Sequence, residues 1–340
     1  MGHGFVIDAR VARPHLLRML FDIAPAVVLA AALILDGLIG DPRWLWARIP
    51  HPVAILGACI GWADRRANQR DQANRRWRGV VLLIVMVAGA GAFGSLVTWL
   101  TQATTWGWLL EAALVFSLVA QRDLFDHVKR VAVALRQDGI EGGRRAVSMI
   151  VGRDPDALDE HGICRAAIES CAENFADGVV APIFWYLVAG FPGLLIYKTV
   201  NTLDSMIGHK TERYLAFGWA SARFDDLLNL IPARLSGLVV TAAALAMNGA
   251  DAKGALQAML RDARNHKSPN AGWPEAAFAG ALGIAIAGPR SYHGEMITDA
   301  WMGNGRARCT PRDIENTLKL YVIACVIWGV FSVLALNWAG

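Results

Sequence analysis

Two uninterrupted apolar runs constrain this chain more than any other feature. Residues 80–100 (VVLLIVMVAGAGAFGSLVTWL) and 320–338 (LYVIACVIWGVFSVLALNW) carry no charged side chain. About 20 apolar residues are enough for a helix to cross the hydrocarbon core of a bilayer. Residues 23–39 form a third such run with Asp36 near its end, and residues 109–120 a shorter one carrying Glu111. The run 179–200 is long enough to cross but is interrupted by Pro182, Pro192 and Gly193. Residues 238–250 and 276–287 are too short to span, so re-entrant or buried helices are expected there. Only 18% of the 340 residues are charged, against about 25% in soluble domains. Thirteen tryptophans suit a protein with two interfaces to anchor. The expectation is one all-α domain over residues 1–340: a polytopic integral membrane helical bundle with re-entrant or broken helices and cytoplasmic helical loops.

No small-residue cleavage site follows the first apolar run, so no secretory signal is expected. The five cysteines form no C-x-x-C pair and are odd in number, which suggests neither a zinc site nor a disulfide framework. A net charge of +4, spread through loops, gives no reason to expect nucleic acid. Basic residues concentrate in 41–79, which contains RRANQRDQANRRWR, and in 121–178, which contains KR, GGRR and VGRD. The positive-inside rule makes both of these cytoplasmic loops, joined by a hairpin of 80–100 and 109–120. The N-terminal arginines also prefer the inside and pull against this topology. If 179–200 dips into the membrane and returns, the polar segments 165–177 and 201–234 share one side, and that one-sided arrangement is the expected one. Residues 132–159 read as a soluble helical region, with turns at Asp138-Gly139 and Gly142-Gly143.

Residues 165–283 hold the clusters that suggest chemistry. In RAAIESCAENFADGVVAPIFWYL, Arg165, Glu169, Glu173 and Asp177 recur every four residues, so on a helix they drift slowly around one face. Arg165 can pair with Glu169. Glu173 then stands between like charges, at about 0.2–0.5 kcal/mol per contact. A solvated interfacial helix could tolerate that; a bound cation would relieve it, with Asn174 and Ser170 as further oxygen donors. Clustered carboxylates and amides without thiols or paired histidines favour Mg²⁺ over Zn²⁺.

In YKTVNTLDSMIGHKTERY, Lys198, Asn201, Asp204 and Ser205 share a polar helical face, and Gly208 could end the helix before His209, Lys210 and Arg213. Lys198, so near an apolar run, needs a carboxylate or a phosphate as partner; Asp204 is the simple choice. FGWASARFDDLLNLIPARLSG sets Asp225 four residues before Asn229, with Asp226 adjacent, Arg223 and Arg234 flanking, and Pro232 restarting a helix. In RDARNHKSPNAGWPEAAFAGALG, turn residues 268–272 precede a helix whose first amides could receive a phosphate, close to Arg264, His266 and Lys267. LDGLIGDPRWLWARIPHPV holds Asp36, Asp41 and His51 and reads most simply as a stop after a membrane helix. MGNGRAR could form a glycine loop with Arg306 as an anion ligand. The G-x-G-x-x-G match at 89–94 lies mid-bilayer and reads as close helix packing, and 193–199 lacks the second glycine of a P-loop. The residues alone give a Mg²⁺-and-phosphate site at the membrane surface.

These strings closely resemble the CobD/CbiB family, the adenosylcobinamide-phosphate synthases of cobalamin biosynthesis. LDGLIGDP…HPV, ESCAENFADGVVAPIFW, YKTVNTLDSMIGHK, FGWASARFDDLLNLIPARLSG and HKSPNAGWPEAAFAGALG stand in family order from about residue 30 onward. The resemblance implies an enzyme of the bacterial inner membrane, its active site facing the cytoplasm. It would use ATP and Mg²⁺ to join adenosylcobyric acid to aminopropanol O-phosphate, or to aminopropanol, in association with neighbouring enzymes of the pathway. From the chemistry of the residues themselves, Glu169, Glu173, Asp177 and Asp204 are the metal-ligand candidates, and Glu173, Asp177, Lys198, Asp225 and Asp226 the catalytic ones. Arg165, Asn174, Asn201, Ser205, Lys210, Arg223, Asn229, Arg234, His266, Ser268 and Asn270 are the substrate- and nucleotide-binding candidates. His209 stands where the family often has tyrosine, and Asn304 where a GDGR-like string has aspartate. Two rival readings are a corrinoid or small-molecule transporter and a non-catalytic regulatory protein of the AmpE type.

Overall fold

Apolar sequence is helical almost wherever it occurs. The computed structural model describes residues 25–339 apart from 70–71, 153–154, 293–294 and 298. The N-terminal basic residues thus lie outside the described residues, as do Arg70, Asp71, Arg153 and Asp154 of the two basic loops. Three helices are long and apolar enough to cross a membrane: Asn74–Gln102, Glu160–Ile207 and Pro311–Trp338. A bent pair, Trp219–Leu228 and Leu230–Ala246, meets at 44° and makes a fourth if taken as one span. The protein is a helical membrane bundle. Its main departure from helix is two small antiparallel ribbons, Ile286–Ala287 with Trp301–Met302 and Arg290–Tyr292 with Glu295–Ile297.

The segment 160–207 is not one straight span. Residues 177 and 197 of a continuous α-helix would stand about 30 Å apart, yet the Tyr197 hydroxyl lies 3.1 Å from the Asp177 carbonyl oxygen. The chain reverses at Ala189 and Gly190, whose backbone is non-helical. Gly190 takes φ +61°, a conformation that only glycine adopts without strain. The expected break at the prolines is displaced to this pair. Pro192 instead stands at the start of the returning arm, and Pro182 in the first turn of the helix that follows a π-turn, where a missing amide costs little. The descending arm is α1 (Glu160–Phe175), followed by a π-turn, Ala176–Val180; the arms then continue as α2 (Ala181–Ile207). A helical hairpin results, and it carries the chemistry-bearing ends of both arms to one place.

The hairpin leans on α3 (Gln72–Gln102). A side-chain carbon on Gly94 would come within 2.7 Å of the Pro192 Cα, so Gly94 serves close approach of two helices, whereas one on Gly89 would meet nothing within 4 Å. Helix Gly107–Phe116 has ten residues, about 15 Å, too short to form the second arm of a spanning hairpin with α3. Of the turns expected in 132–159, Gly139 does break the helix Gln121–Val147, with φ +65°. Gly142 and Gly143 stay helical and buried instead, because a side chain at 143 would collide with Leu135. Phe175, at the end of α1, meets Phe278 and Tyr321 edge-on at 6.1 and 5.6 Å, tying the hairpin to the C-terminal helices.

Candidate active site

Four separate stretches of sequence converge where the arms of the hairpin open. A cavity of about 330 Å³ is lined by Glu173 and Asp177 from the first arm and by Asp204, Gly208 and Lys210 from the end of the second. Arg223, Asp225, Asp226 and Asn229 come from helix Trp219–Leu228 and its cap, and His266 to Ala271 from the turn before helix Gly272–Leu282. One wall is therefore acidic, and Lys210, Arg223, His266 and Lys267 supply a basic rim. Asp177 lies within electrostatic reach of Asp225, Glu173, Asp204 and Lys198.

The acidic wall is built precariously. Asp225 is held by two neutral amides: Asn229 Nδ2 donates to Oδ2 at 3.0 Å, and Asn201 Nδ2 lies 3.5 Å from Oδ1. Asn229 is oriented in turn by the Tyr197 hydroxyl, 3.0 Å from its Oδ1. Asp226 pairs with Arg223 at 2.8 Å and uses its backbone carbonyl to accept from Asn270 Nδ2 at 2.8 Å. Asn270 Oδ1 is buried and has no hydrogen-bond partner among the described residues. The Ser268 hydroxyl accepts from the Asn270 and Ala271 amides, both at 3.2 Å. His266 Nδ1 accepts from the Ser268 amide at 3.0 Å, and its Nε2 lies 3.7 Å from buried Glu275.

Several residues expected at the site are elsewhere. Each step of four residues along an α-helix turns about 40°, so Arg165 and Glu169 face a different neighbour from Glu173 and Asp177. Glu169 is buried and its Oε1 accepts from the Ala287 amide at 3.0 Å. Arg165 donates to the Ala307 carbonyl at 2.8 Å and sits over Trp301 instead of pairing with Glu169. Ser170 donates to the Ile150 carbonyl, and Asn174 turns back to the Ser170 carbonyl; neither lines the cavity. Ser205 is exposed and donates to the Asn201 carbonyl. Arg234 donates to the Leu230 carbonyl and stacks over Trp273 at 4.4 Å. Lys198 is not part of the lining; its charge neighbours are Asp177 and Asp41, not Asp204. Arg306 is bound to Asp313 and is not part of the cavity lining.

Sequence reasoning left Lys267 out of the binding candidates, although it lines the cavity and pairs with Asp299. It also left out Tyr197, whose hydroxyl bridges the two arms, and treated Asp41 as a stop signal although it is a charge partner of Lys198. Adjacency to His266 and Lys198 was the available signal for the first two.

Among the described residues no group of three or more His, Cys, Asp or Glu side chains is close enough to enclose one metal ion. That geometry still fits Mg²⁺, which is commonly held by one or two carboxylates plus waters and substrate phosphates. Its hard oxygen donors are here, and thiols are not. A larger groove of about 680 Å³ between helices Pro25–Ile39 and Pro311–Ala339 has no acidic side chain in its lining and offers nothing to such an ion.

A family profile described as CobD/Cbib protein matches residues 29–321. The chain belongs to the CobD/Cbib family. It is 55% identical over 310 residues to a Sinorhizobium sp. protein named Cobalamin biosynthesis protein CobD, covering 90% of this chain and 96% of that one. A protein of the same name from Brucella suis biovar 1 (strain 1330) is 51% identical over 321 residues, covering 90% and 98%. One from Rhodobacter capsulatus is 46% identical over 297 residues, covering 87% and 92%. No solved structure matches the chain.

Proposed function

We propose that this protein forms an amide bond at the expense of ATP, joining adenosylcobyric acid to aminopropanol O-phosphate, or to aminopropanol, at the acid-walled cavity. Family membership and the relatives' shared name support a role in cobalamin biosynthesis. The observation that carries the finer reading is the meeting of a carboxylate wall and a basic rim in one small cavity. Phosphoryl transfer depends mainly on positioning and on neutralising charge, and those two features supply both.

In this reading a propionate oxygen of the corrinoid attacks the terminal phosphorus of ATP, ADP leaves, and an acyl phosphate forms. The neutral amine then attacks the acyl carbon, and phosphate departs with the carboxylate oxygen. Mg²⁺, held by Glu173, Asp177 or Asp204, would offset the charge of the nucleotide oxygens. Lys210, Arg223 and Lys267 neutralise phosphate at the rim, with Asp226 fixing the Arg223 guanidinium. Asp225, aligned by Asn201 and Asn229, takes the ammonium proton. The buried Oδ1 of Asn270 accepts from the amine substrate. At about 330 Å³ the cavity is at the small end of ligand pockets, which run from about 300 to 1,000 Å³. It suits a phosphate tail, so the corrin ring would lie across the mouth with only its propionate arm reaching in.

The test supplies purified protein with adenosylcobyric acid, aminopropanol phosphate and Mg²⁺-ATP. Amide product with matched nucleotide cleavage is the expected result. Uptake of corrinoid into vesicles without product would favour a transporter and overturn the proposal.

A further inference from the structure

The end of the molecule that carries the cavity rim also carries an arginine–tryptophan face that the chemistry does not use. Arg66 stacks over Trp62 with its guanidinium 4.7 Å from the ring centre, and Arg76 over Trp219 at 3.8 Å. Trp62, Trp77 and Trp219 are 55%, 66% and 42% exposed, and Arg65, Arg66 and Arg76 are exposed beside them. An arginine-rich surface is most often simply a solvated one. Here each of two cations is seated on a large apolar ring that stays open to the outside, so charge and apolar surface are presented together.

Position along the membrane helix separates the two readings. The apolar run begins at residue 80, three residues after Trp77, or about 4.5 Å along the axis. Trp77 and the adjacent Arg76, stacked on Trp219, therefore stand at the depth where a bilayer changes from hydrocarbon to headgroup. Tryptophan favours that layer, and arginine there meets the phosphates of anionic lipids. The face is also rigid. Asp64, buried between these residues, accepts from Arg213 at 2.6 Å and from Asn68 at 2.8 Å. Arg75 donates to Asn68 Oδ1 at 2.8 Å and to the Arg213 carbonyl. The loop so fastened runs from Gly208, the cap of α2, through Lys210 of the cavity lining to Gly218, which precedes Trp219.

We infer that Trp62, Arg66, Arg76, Trp77 and Trp219 form a docking surface for the anionic phospholipid headgroups of the leaflet at the cavity's mouth. The partner is a lipid layer, recognised by phosphate charge against guanidinium and by ring insertion. The surface holds the rim of the cavity at that membrane face. It stands on these contacts and needs no assumption about catalysis.

The test reads lipid retention by native mass spectrometry of protein released from bilayers of equal phosphatidylglycerol and phosphatidylcholine. The wild-type chain is expected to retain phosphatidylglycerol preferentially, and more weakly as salt rises, because exposed charges are screened. Arg66→Gln with Arg76→Gln should lower the preference by about fivefold per arginine. Equal retention of the two lipids by the wild type, or an unchanged preference in the double variant, would overturn the inference. Should the double variant fail to fold, the salt titration of the wild type decides. A preference that high salt leaves intact contradicts it, and so does displacement of wild-type lipid by an acidic polypeptide with no lipid preference to begin with.

Discussion

Asp313 and Asp177 are both drawn into the protein, and their surroundings differ in kind. Asp313 accepts from both terminal nitrogens of Arg306, from the Thr310 amide at 2.7 Å and from the Thr310 hydroxyl at 2.8 Å. Asp262 is treated alike, with two bonds from Arg261 at 2.6 Å and one from the Gly303 amide at 2.9 Å. These carboxylates are saturated with donors and fasten loops to helix ends. Among the described residues the side chains of Asp177 and Asp204 accept no hydrogen bond, and their nearest charges include other carboxylates. Half-buried charge without donors, as at Asp177 and Asp204, costs stability. A fold that gathers such groups in one cavity is carrying a cost that a ligand's positive charge can offset, whereas Asp313 has already been satisfied by the protein itself.

The difference can be broken by substitution. Asp177→Asn or Asp225→Asn removes charge from the crowded wall, so amide formation should fall by about 100-fold or more. Thermal unfolding in detergent should stay level or rise, because repulsion has been relieved. A matching fall in both would make these residues structural, like Asp313. Asp313→Ala should do the reverse, costing about 2 kcal/mol of stability once the exposure of Arg306 is allowed for. Turnover per folded molecule should hold, as measured by chemical denaturation alongside the rate.

Asp64 sharpens the comparison, since its saturated carboxylate holds the loop that brings Lys210 to the cavity. Asp64→Asn should raise KM for the phosphate-bearing substrate by roughly tenfold and leave kcat within about threefold, as a displaced positioning group does. The smallest effect belongs to Glu169. Glu169→Gln keeps an oxygen that can accept from the Ala287 amide, so turnover should stay within about twofold of wild type. A collapse of activity would return Glu169 to the metal.

Much of this organisation was legible before the structure. Length and apolarity announced the long helices, and Pro182, Pro192 and Gly193 announced a break that the chain places at Ala189–Gly190. The polar strings 173–177, 204–210, 223–229 and 266–270 were visible as separate clusters, and the hairpin brings them together. Period-four spacing failed at Arg165 and Glu169, because a drift of about 40° per step, followed by a π-turn, carries one end of the stripe out of register with the other. Asn174, Ser205 and Arg234 were misread for another reason. Each finds a backbone carbonyl four residues earlier, a local satisfaction that sequence does not distinguish from a free ligand. Asp41 depended on a tertiary neighbour, Lys198, which no local pattern encodes.

The central claim is that this cavity activates a carboxylate with ATP before the amine arrives. It is met most directly by adenosylcobyric acid carrying ¹⁸O in its reacting carboxylate, followed through one round of amide formation. The account predicts that one labelled oxygen appears in orthophosphate, and that Asp177→Asn stops both label transfer and product. Amide formed with no label in any phosphorus product, or formed at full rate by Asp177→Asn, would contradict it.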